Sequence, residues 1–265
     1  MEMVAAAKLR KAQMRVIQVR PFSEKLDQIL ISLSAAMSDE MTHPFFEKRE
    51  IKKRTLVMIT SDRGLCGSFN ANLISRSREW LKDKDPGQVE LVTVGKKGYD
   101  FYRKRPWKIA GIFRDWAGNL DYGKARDLVD MLTGRFLSGE TDEISIIYTQ
   151  FISTTRFRIT EACYLPVERP AGEGKPGVHL EYIFEPSPAA IFSELMPRYA
   201  QTKMVTALAE SFASEHGTRM IAMGSATKNA GEMIDTLTLQ YNKARQAAIT
   251  KELLDIVGGA EALRG

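Results

Sequence analysis

The residues best equipped for chemistry stand between Ser61 and Asn70, in the run Ser-Asp-Arg-Gly-Leu-Cys-Gly-Ser-Phe-Asn. Asp62, Arg63, Gly64 and Gly67 have the make-up of a phosphate cradle, and a strand-to-helix turn is where an α/β fold binds its ligand. The spacing matches no nucleotide motif: there is no G-x-G-x-x-G and no G-x-x-x-x-G-K-[ST], and neither Lys nor Thr follows Gly67. A tight turn that needs positive φ at glycine accounts for the same residues. Cys66 has no histidine near it in sequence and is read as a small packed side chain, not a nucleophile. His43, His179 and His216 are scattered without ligand spacing, which argues against a metal site. No acid pair and no Ser/His constellation appears elsewhere. The expectation is therefore no catalytic residue, no metal and no cofactor, with a nucleotide-binding α/β enzyme built on the 61–70 loop as the alternative.

The elements around that loop are legible from periodicity. Leu56-Val57-Met58-Ile59-Thr60 predicts a short apolar strand, and a helix follows the loop to about Leu81. Further strands are expected at Val89–Val94, Ile109–Phe113, Glu143–Thr149, Arg158–Leu165 and Tyr182–Phe184. Helices are expected at Lys96–Arg103 and at about Tyr122–Leu137. Strands alternating with helices predict a small α/β domain with a largely parallel sheet. Pro166 to Gly177 reads as a Pro/Gly-rich loop.

Helical patterns flank this domain at both ends. Residues 1–37 predict a long helix with an apolar seam at Val19, Phe22, Leu26, Ile29 and Leu33, interrupted by Pro21, which removes a backbone hydrogen bond and bends the rod. Its first half is basic: Lys8, Arg10, Lys11, Arg15 and Arg20 face one acid, Glu2. Such a cluster is either a solvated face or a docking surface for a negatively charged collar. From about Ala190 to about Ala260 a single helix is expected, roughly 105 Å long. Val205, Leu208 and Phe212 keep helical spacing there. Met220, Met223, Thr227, Ala230, Ile234, Leu237, Tyr241, Ala244 and Ala248 then alternate steps of three and four, a coiled-coil seam with small residues in place of leucine. Gly217, Gly224 and Gly231, seven apart, share one face; each costs about 1 kcal/mol against alanine, so either another backbone approaches closely or the packing of a partner helix is enough to tolerate them. The first helix spans only about 55 Å, so roughly the last 30 residues of the second have no helix to pair with. The fold expected is α/β: an antiparallel coiled coil of N- and C-terminal long helices (residues 1–42 and 188–265) with a small Rossmann-like α/β domain (52–187) inserted between them.

A hydrophobic content of 44% permits a real core, and 27% charged residues is ordinary for a soluble protein. The net charge of +5 favours an acidic partner surface without pointing to nucleic acid. A basic coiled-coil nucleic-acid binder is a further rival, but the basic stretch lacks the interleaved aromatics of a single-strand binder. Two cysteines make no disulfide framework and suggest a reducing, cytoplasm-facing compartment. No apolar run reaches the length needed to span a bilayer, so membrane association is expected only through partners.

Several segments carry a resemblance. Met1–Gln13 (MEMVAAAKLRKAQ), Ser61–Asn70 (SDRGLCGSFN), Thr218–Ile234 (TRMIAMGSATKNAGEMI) and Leu239–Leu263 (LQYNKARQAAITKELLDIVGGAEAL) resemble the gamma subunit of the F-type ATP synthase, strongest at the two ends and looser across 89–185. The family's first helix begins several turns before the segment matching Met1, so the resemblance implies a shaft whose upper part is a single helix here. It also implies a non-catalytic rotor shaft, one copy per complex. That shaft would stand inside a ring of three alpha and three beta subunits, with the epsilon subunit and the c-subunit ring below. It would lie peripherally on the cytoplasmic face of a bacterial inner membrane and carry torque between the proton-driven ring and the catalytic ring. By the same resemblance Arg245, Gln246, Thr250 and Glu252 match polar contacts with a beta-subunit loop. Arg219, with Met1, Lys8, Arg10 and Lys11, matches a lower level where beta subunits present an acidic loop, which favours docking for the basic cluster. Contacts with the c ring fall around 192–206 and 26–45.

Overall fold

A computed structural model describes residues 1–37, 43–167, 185 and 187–263. The expected Tyr182–Phe184 strand and nearly all of the Pro/Gly-rich loop lie outside the described residues. The elements are α1 (Glu2–Met37), a 3-10 turn (Pro44–Phe46), β1 (Arg54–Ile59), α2 (Phe69–Leu81), β2 (Val89–Val94), α3 (Lys96–Tyr102), β3 (Lys108–Phe113), α4 (Tyr122–Leu137), β4 (Glu143–Phe151), β5 (Phe157–Leu165) and α5 (Pro188–Ala262). They form two compact units, Met1–Ile221 and Ala222–Gly265.

The five strands make one sheet in the order β3-β2-β1-β4-β5. β3, β2, β1 and β4 are parallel; β5 returns antiparallel to β4. Every residue of β1 after Arg54 is buried, as a central parallel strand covered on both faces requires. Alternation divides its side chains. Leu56 and Met58 pack with Leu73, Trp80 and Tyr102 of α2 and α3, while Val57 and Ile59 pack on the other face with α4 and with the ends of α1 and α5. Asp121 caps α4 by accepting from the amides of Gly123 and Lys124.

α1 and α5 run antiparallel in the first unit. Asp27 pairs with Lys203 at 2.9 Å and Arg20 with Glu210 at 2.7 Å, so numbers fall on one helix as they rise on the other. Among the buried or half-buried positions of α1, Ala5, Leu9, Ala12, Val16, Val19, Ser23, Leu26, Leu30 and Leu33 alternate steps of four and three without a break. This corrects the expected seam at two positions: Phe22 is 57% exposed and Ser23, at 7%, takes its place, and Leu30, at 2%, is buried in the seam where half-buried Ile29 was expected. Extending the heptad from Ala5 and Leu9 leads to Ser23; choosing the more apolar neighbour leads one residue astray. α1 continues through Pro21, which lies on its exposed side.

From Ala207 to Gly217 every residue of α5 is buried. α1 lies against one side of this stretch, and the carboxyl end of the sheet against the other: Ser211 Oγ donates to Ile59 O at 3.5 Å and Ser214 Oγ to Thr149 O at 3.2 Å, and the Phe212 ring lies 5.5 Å from Trp116. Alanine, serine and glycine keep the helix slim enough for that slot. A Cβ on Gly217 would come within 2.7 Å of the Phe157 ring, so a side chain, not another backbone, makes the close approach there, whereas at Gly231 nothing lies within 4 Å. In the second unit α5 is exposed from Ser225 onward, including Ile234, Leu237 and Tyr241 of the predicted seam.

Candidate partner-binding surface

The loop after β1 is closed from within. Asp62 Oδ1 accepts from the amides of Lys96 and Asp115, and its Oδ2 from those of Trp116 and Ala117, at 2.7–3.2 Å. These amides belong to the turns after β2 and β3, so Asp62 ties the β1–α2 loop to both of them. Asn70 bridges Ser61 and the buried Cys66, with 3.2 Å from Asn70 Nδ2 to Cys66 Sγ, so Cys66 is the packed side chain the sequence suggested. Positive φ falls at Gly67 (+55°), as a turn glycine predicts, and at Leu65 (+61°), which the sequence does not reveal; Gly64 has no such torsion. Leu65 is 63% exposed at the tip of the loop.

Arg219 fastens this loop to α5. Its guanidinium donates to the carbonyls of Arg63 and Gly64 at 3.3 Å, pairs with Glu215 at 2.7 Å and meets His216 Nδ1 at 3.3 Å. His216 Nε2 in turn lies 3.0 Å from Gly118 O. Burial pushes the imidazole down to about 4, and the Arg219 and Lys8 charges add to that shift. Burial raises the Glu215 and Glu210 carboxyls, opposed by Arg219 and Arg20 respectively. The Arg20 guanidinium also donates to Phe151 O, tying α1 to β4 as well as to α5. Sequence reasoning passed over Glu210, Glu215 and His216. The signal was present as a stretch, 207–217, in which charges and small residues fill the positions around Leu208 and Phe212, as in a helix enclosed all round.

The proposed contact residues fall in both units. Met1 is 83% exposed, Arg10 and Lys11 are exposed, and Lys8 is half-buried. Arg20 and Arg15 leave the basic cluster: Arg20 is paired with Glu210, and Arg15 lies over the Tyr122 ring at 5.9 Å. Arg219 has a side chain only 17% exposed and is held by its own chain. Arg245, Gln246, Thr250 and Glu252 are exposed on a continuous helix within the second unit. Among the described residues no group of His, Cys, Asp and Glu is arranged to hold a metal ion, and no helix is long and apolar enough to cross a membrane.

The family model for ATP synthase matches residues 1–263. The ATP synthase gamma chain of Moorella thermoacetica is 47% identical over 264 residues, covering 100% of this chain and 92% of that one. That of Heliobacterium modesticaldum is 43% identical over 269 residues, covering 99% and 92%. The chain belongs to the ATP synthase gamma-chain family. A gamma chain is the non-catalytic, central-stalk subunit of an F-type ATP synthase. The gamma-chain fold is shared with a chain in the mitochondrial central stalk and c-ring structure from Tetrahymena thermophila (TM-score 0.64, 21% identity, covering 85% of this chain and 97% of that one). It is shared also with one in the Euglena gracilis mitochondrial ATP synthase (TM-score 0.63, 18% identity, covering 97% and 95%).

Proposed function

We propose that the chain transmits torque between a proton-driven c ring and the catalytic ring of three alpha and three beta subunits, as one copy per complex, with an epsilon-type subunit beside it. Its shaft is formed by 1–42 and 188–265 and its body by 52–187. The observation that carries this reading is the second unit: one helix that exposes Met233, Ile234, Leu237, Leu239 and Tyr241 by 56–72%, a surface that a soluble chain keeps only for a partner. On the same helix Arg245, Gln246, Thr250 and Glu252 supply polar grips for a beta-subunit loop. Met1, Lys8, Arg10 and Lys11 meet an acidic loop lower down. Arg219 serves that level by holding the 63–65 backbone in place.

Contacts with the c ring fall within 192–206 and 26–45. Phe192, Met196, Ala200 and Met204 are occupied in the core, which leaves Ser193, Glu194, Pro197 and Arg198 for a partner. Membrane attachment is through those partners, on the cytoplasmic face of a bacterial inner membrane, in line with the bacterial origin of the similar gamma chains. Co-purification with alpha and beta subunits tests the assignment. One copy of this chain with three of each supports it; a chain recovered alone from cells that express all three overturns it.

A further inference from the structure

The chain's formal excess of +5 is concentrated in one corner of the α/β domain. Between 96 and 108, Lys96, Lys97, Arg103, Lys104, Arg105 and Lys108 stand against a single acid, Asp100, so this stretch alone accounts for the whole excess. All six cations are exposed. The described ion pairs relieve them little: Arg103 is 3.9 Å from Asp100, Lys108 meets Glu90, and Lys96, Lys97 and Lys104 have no acidic partner among the described residues. The corner joins α3 to the edge strand β3. α3 packs on the α2 face of the sheet, opposite the face that carries α4 and the ends of α1 and α5, so within the first unit neither α1 nor α5 covers it.

We propose that this corner docks on the anionic headgroup surface of the bilayer, adding a direct contact to the attachment supplied by partners. It is independent of the contacts assigned to α1 and α5. Consecutive cations on an exposed turn suit a diffuse negative surface, and polybasic clusters of this size bind acidic lipid. Nucleic acid fits less well, because single-strand binders stack bases on free aromatic faces. Here Tyr102 is 1% exposed, Arg105 lies over the Phe101 ring at 3.3 Å and Trp107 packs against the core.

Co-sedimentation of the full chain with phosphatidylcholine vesicles, with and without added phosphatidylglycerol, tests this. Binding is expected only with phosphatidylglycerol, falling steeply as salt rises. Combining Arg103→Gln, Lys104→Gln and Arg105→Gln should weaken it on the order of a hundredfold, while Lys8→Gln with Lys11→Gln leaves it in place. The single exposed change Lys104→Glu, which removes no packing, should weaken it in the same direction. Equal binding to neutral vesicles, unchanged binding by the triple variant and by Lys104→Glu, or tighter retention on single-stranded RNA at the same salt would each overturn the proposal.

Discussion

At the residue scale, the buried polar groups of α5 set the strongest expectations. Arg219→Ala would strand the buried Glu215 carboxylate and release the 63–64 carbonyls, a loss of about 3–5 kcal/mol typical of breaking a buried pair. Urea unfolding of the purified chain measures it, and a loss below 1 kcal/mol, the range of exposed pairs, would mean that Arg219 is free for a partner. His216 makes stability depend on pH. Neutral in the fold down to about 4 but titrating near 6.5 when unfolded, it lets the unfolded chain take the proton first. Stability from this group is therefore complete above pH 6.5 and lost as pH falls toward 4, by up to about 3 kcal/mol. Glu210 and Glu215 have the opposite sign, since their raised carboxyls are protonated earlier in the fold and lose stability as pH rises. His216→Gln, which preserves a donor toward Gly118 O, should flatten the acid limb between pH 6.5 and 4. An identical slope in both proteins would remove His216 from the account.

At the element scale, the α1 seam and the glycines of α5 are the testable features. Phe22→Ala should change stability by less than about 0.5 kcal/mol, whereas Leu26→Ala should cost about 2–5 kcal/mol; equal costs in chemical denaturation would restore Phe22 to the seam. Gly217→Ala would drive a methyl into the Phe157 ring and cost about 1–3 kcal/mol. Gly231→Ala meets nothing and should strengthen its helix by about 1 kcal/mol, read as slower amide exchange around 231. Helices and strands were legible because their periods are local: α4 and β2 begin and end where the pattern of apolar residues does. The place of Ser23 was not, because burial there is decided by a heptad that starts at Ala5, not by the residue's own polarity. Leu65 hid its positive φ for a similar reason: the two carbonyls that precede it, of Arg63 and Gly64, are held by Arg219, far away in sequence. In the loop that looked most like chemistry, Asp62 gathers amides from two other turns, a role set by residues distant in sequence.

At the scale of the whole molecule, the sequence revealed the family through its two ends, and the seam exposed on the second unit is consistent with a chain built for assembly. Arg245→Ala or Gln246→Ala should leave unfolding of the isolated chain unchanged and lower ATP-driven proton pumping in reconstituted vesicles. Unaltered pumping would remove those grips from the mechanism. The enclosed stretch 207–217 has a mechanical meaning of its own. A rod seated in its housing by Arg20, Thr149 and Gly118 at three points around its girth is splined to that housing. It has no freedom to spin on its long axis without breaking those bonds together, so any turning force delivered there must carry the five-stranded body round with it.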